Sequence, residues 1–209
     1  MLAIVTGYLI GSIPFSYILP KLFRGVDVRR SGTGNVGGSN AIRSAGLTVG
    51  VISGILDFLK GVVGAFLLSM LTNNLFILNL SLLSIVIGHC FPIFLAFHGG
   101  RGIAPTLGIL LYLSPPLFTV FVAISIISIV LKESALGTFI AIIFTSVVAK
   151  FLTVENIDAI FLISILLIFR RIIFVFDDLK NGEKFFHSFI NRLLFDAPEK
   201  KKYEMILRR

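Results

Sequence analysis

The residues best suited to chemistry lie between Gly25 and Arg43, the longest polar interruption in the first three quarters of an apolar chain. Closely spaced glycines let backbone N–H groups converge on an anion, because no Cβ blocks a positive φ or a close approach. Arginine adds a fixed charge and a planar fork that matches phosphate oxygens. The stretch therefore predicts a phosphate-binding loop at a membrane surface. Its candidate ligands are Gly32, Thr33, Gly34, Asn35, Gly37, Gly38, Ser39, Asn40 and Arg43.

A basic loop can also serve only to set membrane topology, and that alternative stays open. The density of glycine and asparagine favours phosphate binding, because topology requires neither residue. The run from Gly32 to Gly37 also matches the G-x-G-x-x-G dinucleotide fingerprint, with Asp57 about twenty residues further on. That fingerprint needs a strand before it and a βαβ unit around it. An apolar run of helix length precedes this one, so we exclude a dinucleotide site.

A second glycine-rich segment runs from Gly88 to Thr106 and again combines glycine with cationic side chains. Arg101 stands between glycines, at the end of an apolar run that we expect to return to the same membrane face. His89, alone near the end of that run, is more often a packing residue than a catalyst. The candidate ligands of this segment are His98, Gly99, Gly100, Arg101 and Gly102.

Asp57 and Lys60 lie inside another apolar run, three residues apart and so on one helical face, where they can pair. A charge at the centre of a membrane span costs about 2.5–3.5 kcal/mol on insertion scales, so such residues usually face the interior of a helix bundle. We expect both to face inward and to find polar partners. The pair either supports the floor of a polar site or pins two helices together, and both alternatives stay open.

The composition predicts an integral membrane protein. Of its 209 residues, 56% are hydrophobic and only 14% are charged, whereas soluble domains have about 25% charged residues. Apolar runs near the length needed to cross a bilayer recur along the chain. We therefore expect an all-α, polytopic protein of about seven transmembrane helices. The predicted spans are 2–23, 49–71, 75–97, 103–113, 117–131, 135–152 and 157–176.

The distribution of positive charge predicts the orientation of these spans. All but two of the 19 Lys and Arg residues fall within or beside loops that this topology places on one side. By the positive-inside rule that side is the cytoplasm, which puts the N-terminus outside and the C-terminus inside. The formal net charge of +8 then reports contact with anionic lipid headgroups, and we expect no nucleic-acid partner.

Other functional classes are not supported by the sequence. The single Cys90 and three histidines without ligand spacing predict neither a disulfide nor a metal site. The first apolar run lacks a basic leader and a small-residue cleavage pattern, so we expect a retained span. Residues 1–176 form one predicted membrane domain. Residues 177–209 form a basic amphipathic tail, with Phe185 and later apolar residues at helical spacing, that we expect to lie on the cytoplasmic surface.

Three ordered motifs in this frame resemble the acyl-phosphate-dependent glycerol-3-phosphate acyltransferases, the PlsY family. The first is GSIPFSYILPKLFRGVDVRRSGTGNVGGSNAIR, which begins at Gly11. The second is the Asp-x-x-Lys-Gly run at Asp57, and the third is GHCFPIFLAFHGGRGIA, which begins at Gly88. The resemblance covers nearly the whole chain.

The resemblance implies transfer of an acyl chain from acyl phosphate to the 1-hydroxyl of glycerol 3-phosphate, the first step of phospholipid synthesis. The products are lysophosphatidic acid and phosphate, with no cofactor and no coenzyme A. It implies a multi-pass protein of the bacterial cytoplasmic (inner) membrane, among membrane lipids, with its active site facing the cytoplasm. The expected catalytic residues are Thr33, Asn35, Arg101 and Ser134, the expected phosphate ligands are those of the two glycine segments, and the expected supporting residues are Asp57, Lys60 and His89.

This chain departs from the family pattern at several positions. The family's serine is Thr33 here, and two family lysines are His98 and Arg101. After the last span the family carries a His-x-x-Asn-Ile motif, where this chain has Arg170 and Arg171 with no His or Asn. A divergent member with weak, altered or lost activity is therefore one alternative. A transporter of anionic solutes is another, although no inverted repeat is visible.

Overall fold

The structure, a computed structural model, describes residues 1–131, 134–180 and 185, with side chains at all of these except 134 and 174–180. The chain divides into two compact units. The first comprises Met1–Pro115 with Val154–Ile163, and the second comprises Pro116–Thr153 with Ser164–Arg209. Most of the predicted amphipathic tail lies outside the described residues. The predicted division at residue 176 stays a prediction.

The described part of the chain is helical, as predicted. A single 3₁₀ turn, Ile93–Leu95, follows the fifth helix. The α-helices in chain order are α1 (Leu2–Ser12), α2 (Phe15–Arg24), α3 (Gly38–Ala45), α4 (Leu47–Leu71), α5 (Leu75–Cys90), α6 (Ile103–Leu113), α7 (Pro115–Val130), α8 (Ser134–Phe151) and α9 (Ile157–Lys180).

Three helical segments of the described chain are long and apolar enough to cross a membrane: Leu2–Arg24, Leu47–Leu71 and Leu75–Leu95. Three shorter apolar helices follow, Ile103–Leu113, Pro115–Val130 and Ala135–Phe151. Each lies on a predicted span, as does α9. The membrane class is thus confirmed, while the number of seven spans and the sides of the termini stay predictions.

Close helix packing explains glycines inside the apolar helices of the first unit. A Cβ on Gly11 of α1 would overlap the backbone of Ile85 in α5, and one on Gly88 of α5 would overlap the carbonyl of Tyr8. Such small residues let helix backbones approach each other, which is how helices associate in a membrane. The packing of α1 against α5 therefore requires glycine at position 11.

The helix break in the first span falls at Ile13–Pro14, between α1 and α2. Pro14 cannot donate a backbone hydrogen bond, so α1 ends before it and α2 begins after it. Pro20, by contrast, lies inside α2. Pro14 therefore separates the two helices of this span, whereas Pro20 is accommodated within α2.

One prediction about the polar stretch is wrong in part. Gly25 to Arg43 was expected to be a single loop, but its last residues, Gly38 to Arg43, belong to helix α3. This helix has only eight residues, too few to be stable alone in water. It packs on α4, where a Cβ on Gly38 would touch Gly54 and one on Gly50 would overlap Ile42. Tertiary packing therefore forms a helix that the glycine-rich sequence does not predict.

The second unit is held by polar contacts between its own helices. Ser146 of α8 and Ser164 of α9 are joined by a hydrogen bond of 2.8 Å. Arg171 of α9 donates to the carbonyl of Ala135, at the start of α8, over 3.0 Å. Its guanidinium also lies over the ring of Phe139 at 5.9 Å. Both Arg170 and Arg171 are buried.

Candidate active site

One buried side chain organises the first glycine loop. Asn40, fully buried on α3, donates through its amide nitrogen to the carbonyls of Val28, Ser31 and Asn35. Its amide oxygen accepts from the backbone N–H of Thr33 over 2.8 Å. The structure therefore gives Asn40, predicted as a phosphate ligand, a loop-holding function.

The loop that Asn40 holds turns at two glycines with positive φ. Gly32 has a φ of 60° and Gly34 a φ of 75°, a conformation that disfavours other residues. A Cβ on Gly32 would also overlap the amide oxygen of Asn40. Thr33 stands between them with its side chain exposed. The turn therefore exposes the Thr33 residue, while the buried Asn40 holds the backbone of the turn in place.

Helix α3 begins where this loop ends and carries two further predicted ligands. Ser39 and Arg43 are exposed and four residues apart, so they share one face of the helix. The helix N-terminus at Gly38 carries backbone N–H groups without intrahelical partners, which favour an anion. Gly38 itself has a packing role against α4.

The second glycine segment is tied to the end of α5. Gly99 and Gly100 donate their backbone N–H groups to the carbonyls of Cys90 and His89, over 3.2 and 3.0 Å. Gly102, with a φ of 84°, stands at the start of α6. His98 is exposed, and its Nδ1 lies 2.7 Å from the carbonyl oxygen of Ala96. Arg101 is partly buried.

The two glycine segments are in contact. A Cβ on Gly100 would overlap the carbonyl oxygen of Val36, in the first segment, and the Nε2 atom of His89. A buried apolar cluster of Val28, Val36, Ala41 and Leu95 joins the same two segments. The predicted ligands beside Val36 and Gly100 therefore belong to one region of the first unit.

The burial and contacts of Asp57 and Lys60 confirm the prediction that both face inward and find polar partners. They are 1% and 5% exposed, and Lys60 Nζ lies 2.9 Å from Asp57 Oδ1. Asp57 Oδ2 also accepts from the backbone N–H and the hydroxyl of Ser16, at the start of α2. Lys60 donates to the carbonyls of Gly11 and Ile13, over 2.9 and 2.7 Å.

This ion pair thus bridges the break between α1 and α2. A carboxylate at a helix N-terminus and an ammonium at a helix C-terminus each complement the helix dipole and bind backbone groups that the helix leaves unpaired. The sequence left two alternatives open for Asp57 and Lys60, a support for a polar site or a pin between helices. These contacts favour the pin. The sequence did not point to Ser16, whose only signal was a hydroxyl two residues after a proline.

His89 connects this pin to the second glycine segment. It is 6% exposed, in the last turn of α5. Its Nδ1 lies 3.8 Å from Asp57 Oδ1, and its Nε2 faces Gly100. His89 is therefore a buried packing histidine that touches both the ion pair and the loop, and its supporting role in the site stays a prediction.

Arg29 of the first glycine loop forms a second ion pair, with Asp27. Arg29 makes two side-chain hydrogen bonds to Asp27, of 3.0 and 2.8 Å, and its guanidinium lies over the ring of Tyr17 at 4.8 Å. The Arg29 side chain holds the pKa of Asp27 at about 2, against its usual 3.8. Asp27 raises the pKa of Arg29 in turn. This arginine is thus compensated within the loop.

The remaining predicted catalytic residue, Ser134, begins α8 in the second unit. Its side chain lies outside the described residues. Among the residues that the structure does describe, no group of three or more His, Cys, Asp or Glu side chains could hold a metal ion.

Comparison with known proteins assigns the family. The glycerol-3-phosphate acyltransferase family profile matches residues 1–178 of the chain. The chain belongs to the glycerol-3-phosphate acyltransferase family. The match spans both glycine segments, the buried ion pair and Arg171, so the family resemblance of the three motifs is confirmed.

Sequence relatives carry the family name. Glycerol-3-phosphate acyltransferase 2 of Thermotoga maritima is 42% identical over 160 residues, which cover 76% of this chain and 82% of the relative. The glycerol-3-phosphate acyltransferase of Thermotoga petrophila is 45% identical over 139 residues, 66% of this chain and 71% of the relative.

Solved structures of the acyltransferase family share the fold. The crystal structure of PlsY, an integral membrane glycerol 3-phosphate acyltransferase, in its glycerol 3-phosphate form matches with a TM-score of 0.75 and 30% identity. That match covers 88% of this chain and 93% of PlsY. The lysophosphatidic acid form matches with a TM-score of 0.74 and 28% identity over the same shares. The protein is therefore an integral membrane member of an acyltransferase family.

Proposed function

We propose that this protein transfers an acyl chain from acyl phosphate to glycerol 3-phosphate and releases lysophosphatidic acid and phosphate. The 1-hydroxyl oxygen attacks the acyl carbon, and the bond from that carbon to the phosphate oxygen breaks. The departing phosphate keeps the electron pair and takes the hydroxyl proton. All atoms and charges balance without a cofactor.

The observation that carries this proposal is the contact of the two glycine segments at Val36 and Gly100. Both substrates contain phosphate, and each segment combines glycine backbone with a cation, Arg43 on one and Arg101 on the other. A site built from both can hold two phosphate-bearing molecules side by side. The similarity to PlsY structures in glycerol 3-phosphate and lysophosphatidic acid forms supports the same acceptor and product.

Positioning and charge stabilisation can supply most of the rate, because acyl phosphate is already activated. We assign phosphate binding to Arg43, Arg101 and the backbone around Gly32 and Gly34. Thr33 offers an exposed hydroxyl beside them. His98 adds a second polar group, with its ring held against the carbonyl of Ala96.

We also propose a location for this chemistry. The positive-inside rule favours the cytoplasmic side for the basic segment from Lys21 to Arg43, and we infer that the membrane is the bacterial inner membrane. The exposed apolar side chains of the first unit, such as Leu22 and Phe23 (72% and 62% exposed), suit contact with membrane lipids. An acyl phosphate anchored in the inner leaflet then reaches the glycine segments without leaving the bilayer.

The test is an acyl-transfer assay with purified protein in lipid vesicles. Acyl phosphate and labelled glycerol 3-phosphate should give lysophosphatidic acid and free phosphate in equal amounts. The same acyl chain as a coenzyme A thioester should give no product. Product from the thioester alone, or from neither donor, would overturn the proposed donor and reaction.

A pair of arginine variants sharpens this test. Arg43→Met removes a proposed phosphate ligand, and we expect the KM for glycerol 3-phosphate to rise at least about tenfold, as for loss of a charged hydrogen bond worth about 1.5–3 kcal/mol. Arg24→Met removes an exposed arginine at the end of α2 and serves as the matched control, with KM unchanged. Equal effects of the two variants would mean that general positive charge, and not Arg43, attracts the substrate.

A further inference from the structure

A cavity lies between the first two turns of α5 and the first two turns of α9, within the first unit. Its volume of about 300 Å³ is at the lower end of the range of ligand sites, about 300–1,000 Å³. Each helix contributes three residues at spacings of three and one, which places them on one helical face. The cavity is lined by Phe76, Asn79, Leu80, Asp158, Phe161 and Leu162.

A buried hydrogen bond holds the two walls of this cavity together. Asn156, the residue before α9, donates through its amide nitrogen to the side-chain oxygen of Asn79 over 2.7 Å. Both residues are buried, and a buried polar pair is costly to separate. The bond fixes the start of α9 against α5 beside the cavity. The cavity is therefore formed by the protein's own packing, without a ligand.

The wall of the cavity on α9 changes from charged to apolar along the helix. Asp158 lies in the first turn and is exposed. Phe161 and Leu162 follow about one turn later, about 5 Å further along the axis. Since α9 begins a predicted span, the carboxylate lies at the membrane surface and the two apolar side chains lie deeper. A phospholipid has the same order, with a polar headgroup above its acyl chains.

The charge of Asp158 restricts which headgroup fits. A carboxylate accepts hydrogen bonds and attracts a cation, so it disfavours a headgroup that carries only the negative phosphate. A primary ammonium offers three N–H donors, and hydrogen bonds between two ionised groups are among the strongest in proteins. A trimethylammonium group has the positive charge but no N–H to donate. The primary ammonium is therefore the best match for this carboxylate.

We propose that this cavity binds a membrane phospholipid whose headgroup ends in a primary ammonium group, with the ammonium on Asp158 and an acyl chain between α5 and α9. The site is separate from the glycine segments. Asn79 and Cys90 lie about 16 Å apart along α5, and the second glycine segment is tied to the Cys90 end. The inference thus goes beyond the proposed function and does not depend on it.

The test measures lipid binding to the full-length protein in detergent micelles by native mass spectrometry. The probes are phosphatidylethanolamine, phosphatidylcholine and phosphatidylglycerol, each with two oleoyl chains, so that they differ only in headgroup. The first bound molecule of phosphatidylethanolamine should have a dissociation constant at least about tenfold lower than that of either other lipid, because only its headgroup donates a charged hydrogen bond to the carboxylate.

Asp158→Asn should remove this preference. Asparagine keeps the size of the side chain and loses its charge, so we expect the dissociation constants of phosphatidylethanolamine and phosphatidylcholine to come within about threefold of each other. Glu155→Gln is the matched control, since it neutralises an exposed carboxylate in the turn before α9 that does not line the cavity. It should keep the wild-type ratio.

A modified lipid gives the same comparison without any variant. N-acetylated phosphatidylethanolamine has no ammonium group, and it should bind the wild-type protein no better than phosphatidylcholine does. Binding as tight as that of the unmodified lipid would contradict the proposed contact with Asp158.

Three further results would overturn the inference. One is equal binding of phosphatidylethanolamine and phosphatidylcholine by the wild-type protein, and another is equally tight binding of phosphatidylglycerol. The third is a preference that survives Asp158→Asn, or that Glu155→Gln removes to the same extent, since general negative charge at this surface would then attract the lipid. None of these results decides whether the protein transfers acyl chains, which its own assay tests.

Discussion

Asp57 and Lys60 bind the two helix ends that meet at the Ile13–Pro14 break, Asp57 at the start of α2 and Lys60 at the end of α1. Their own charged atoms lie 2.9 Å apart. The pair therefore stabilises a discontinuous helix at the point where the chain leads toward the first glycine loop. Each charge also compensates the other in a buried environment.

Removing one member of this pair should destabilise the protein strongly. We expect Asp57→Asn or Lys60→Met to lower the free energy of unfolding by about 3–5 kcal/mol, because each leaves a buried charge without its partner. The double variant should lose less than the sum of the two, since no charge then stays uncompensated. Reversible unfolding in mixed micelles measures these values.

The Asp27–Arg29 pair is the matched comparison. It is partly exposed, with side-chain exposures of 17% and 35%. Exposed ion pairs contribute about 0–1 kcal/mol, so Asp27→Asn should cost far less than Asp57→Asn. Similar losses of unfolding free energy in Asp27→Asn and Asp57→Asn would contradict the importance of the buried Asp57–Lys60 pair.

Contact between the two glycine segments leads to a prediction about Gly100. Gly100→Ala would drive a methyl group into the Val36 carbonyl and the His89 ring, so we expect kcat/KM for acyl transfer to fall at least about tenfold, as for a catalytic geometry displaced by an ångström. Gly54→Ala is the control, because its methyl would meet only Gly38 at an ordinary 3.7 Å. Full activity of the Gly100 variant would mean that the segments need not touch.

The pH dependence of the first loop follows from Asp27. Its pKa of about 2 lies below the usual 3.8 because the Arg29 side chain donates hydrogen bonds to the carboxylate. The pair therefore contributes its full stabilisation above about pH 4 and loses it as the pH falls through about 2. We expect carbon-detected NMR titration of Asp27 to give the low value. Arg29→Gln should return it toward 3.8, and an unchanged pKa in that variant would refute the assignment of its cause.

Much of the fold follows from the sequence, because its signals are local. Apolar run lengths predict the helices, although the first predicted span is divided into α1 and α2 at Pro14. The spacing of Asp57 and Lys60 predicts their pairing, but not their partners Gly11, Ile13 and Ser16, which come from another helix.

The site is less predictable, since loop geometry depends on tertiary contacts. Glycine and asparagine density indicated a phosphate loop as a whole. It could not separate Asn40, which holds the loop backbone, from Asn35, whose amide oxygen has no internal donor. Helix α3 was missed because its stability comes from packing against Gly50 and Gly54 of α4.

The C-terminal departure from the family pattern predicts slow catalysis. Arg171 is buried and donates to the carbonyl of Ala135, next to the predicted catalytic Ser134. An arginine cannot act as a base or offer an amide oxygen at neutral pH. We expect Arg171→His with Phe174→Asn to raise kcat while the KM for glycerol 3-phosphate stays constant.

Arg171→Lys with Phe174→Asn is the control for this gain, since it keeps a positive charge and restores only the amide. It should not raise kcat to the same extent. A wild-type turnover already at about 1–10³ s⁻¹, the usual range for enzymes, would show that the family's His and Asn are dispensable here.

The most direct test of the two-segment site is an experimental structure with glycerol 3-phosphate bound. We predict the phosphate in contact with the backbone around Gly32 and Gly34 and with the guanidinium of Arg43 or Arg101. A glycerol 3-phosphate molecule bound away from both glycine segments, or a separation of more than about 15 Å between Arg101 and both Asn35 and Arg43, beyond the reach of two extended substrates, would contradict it.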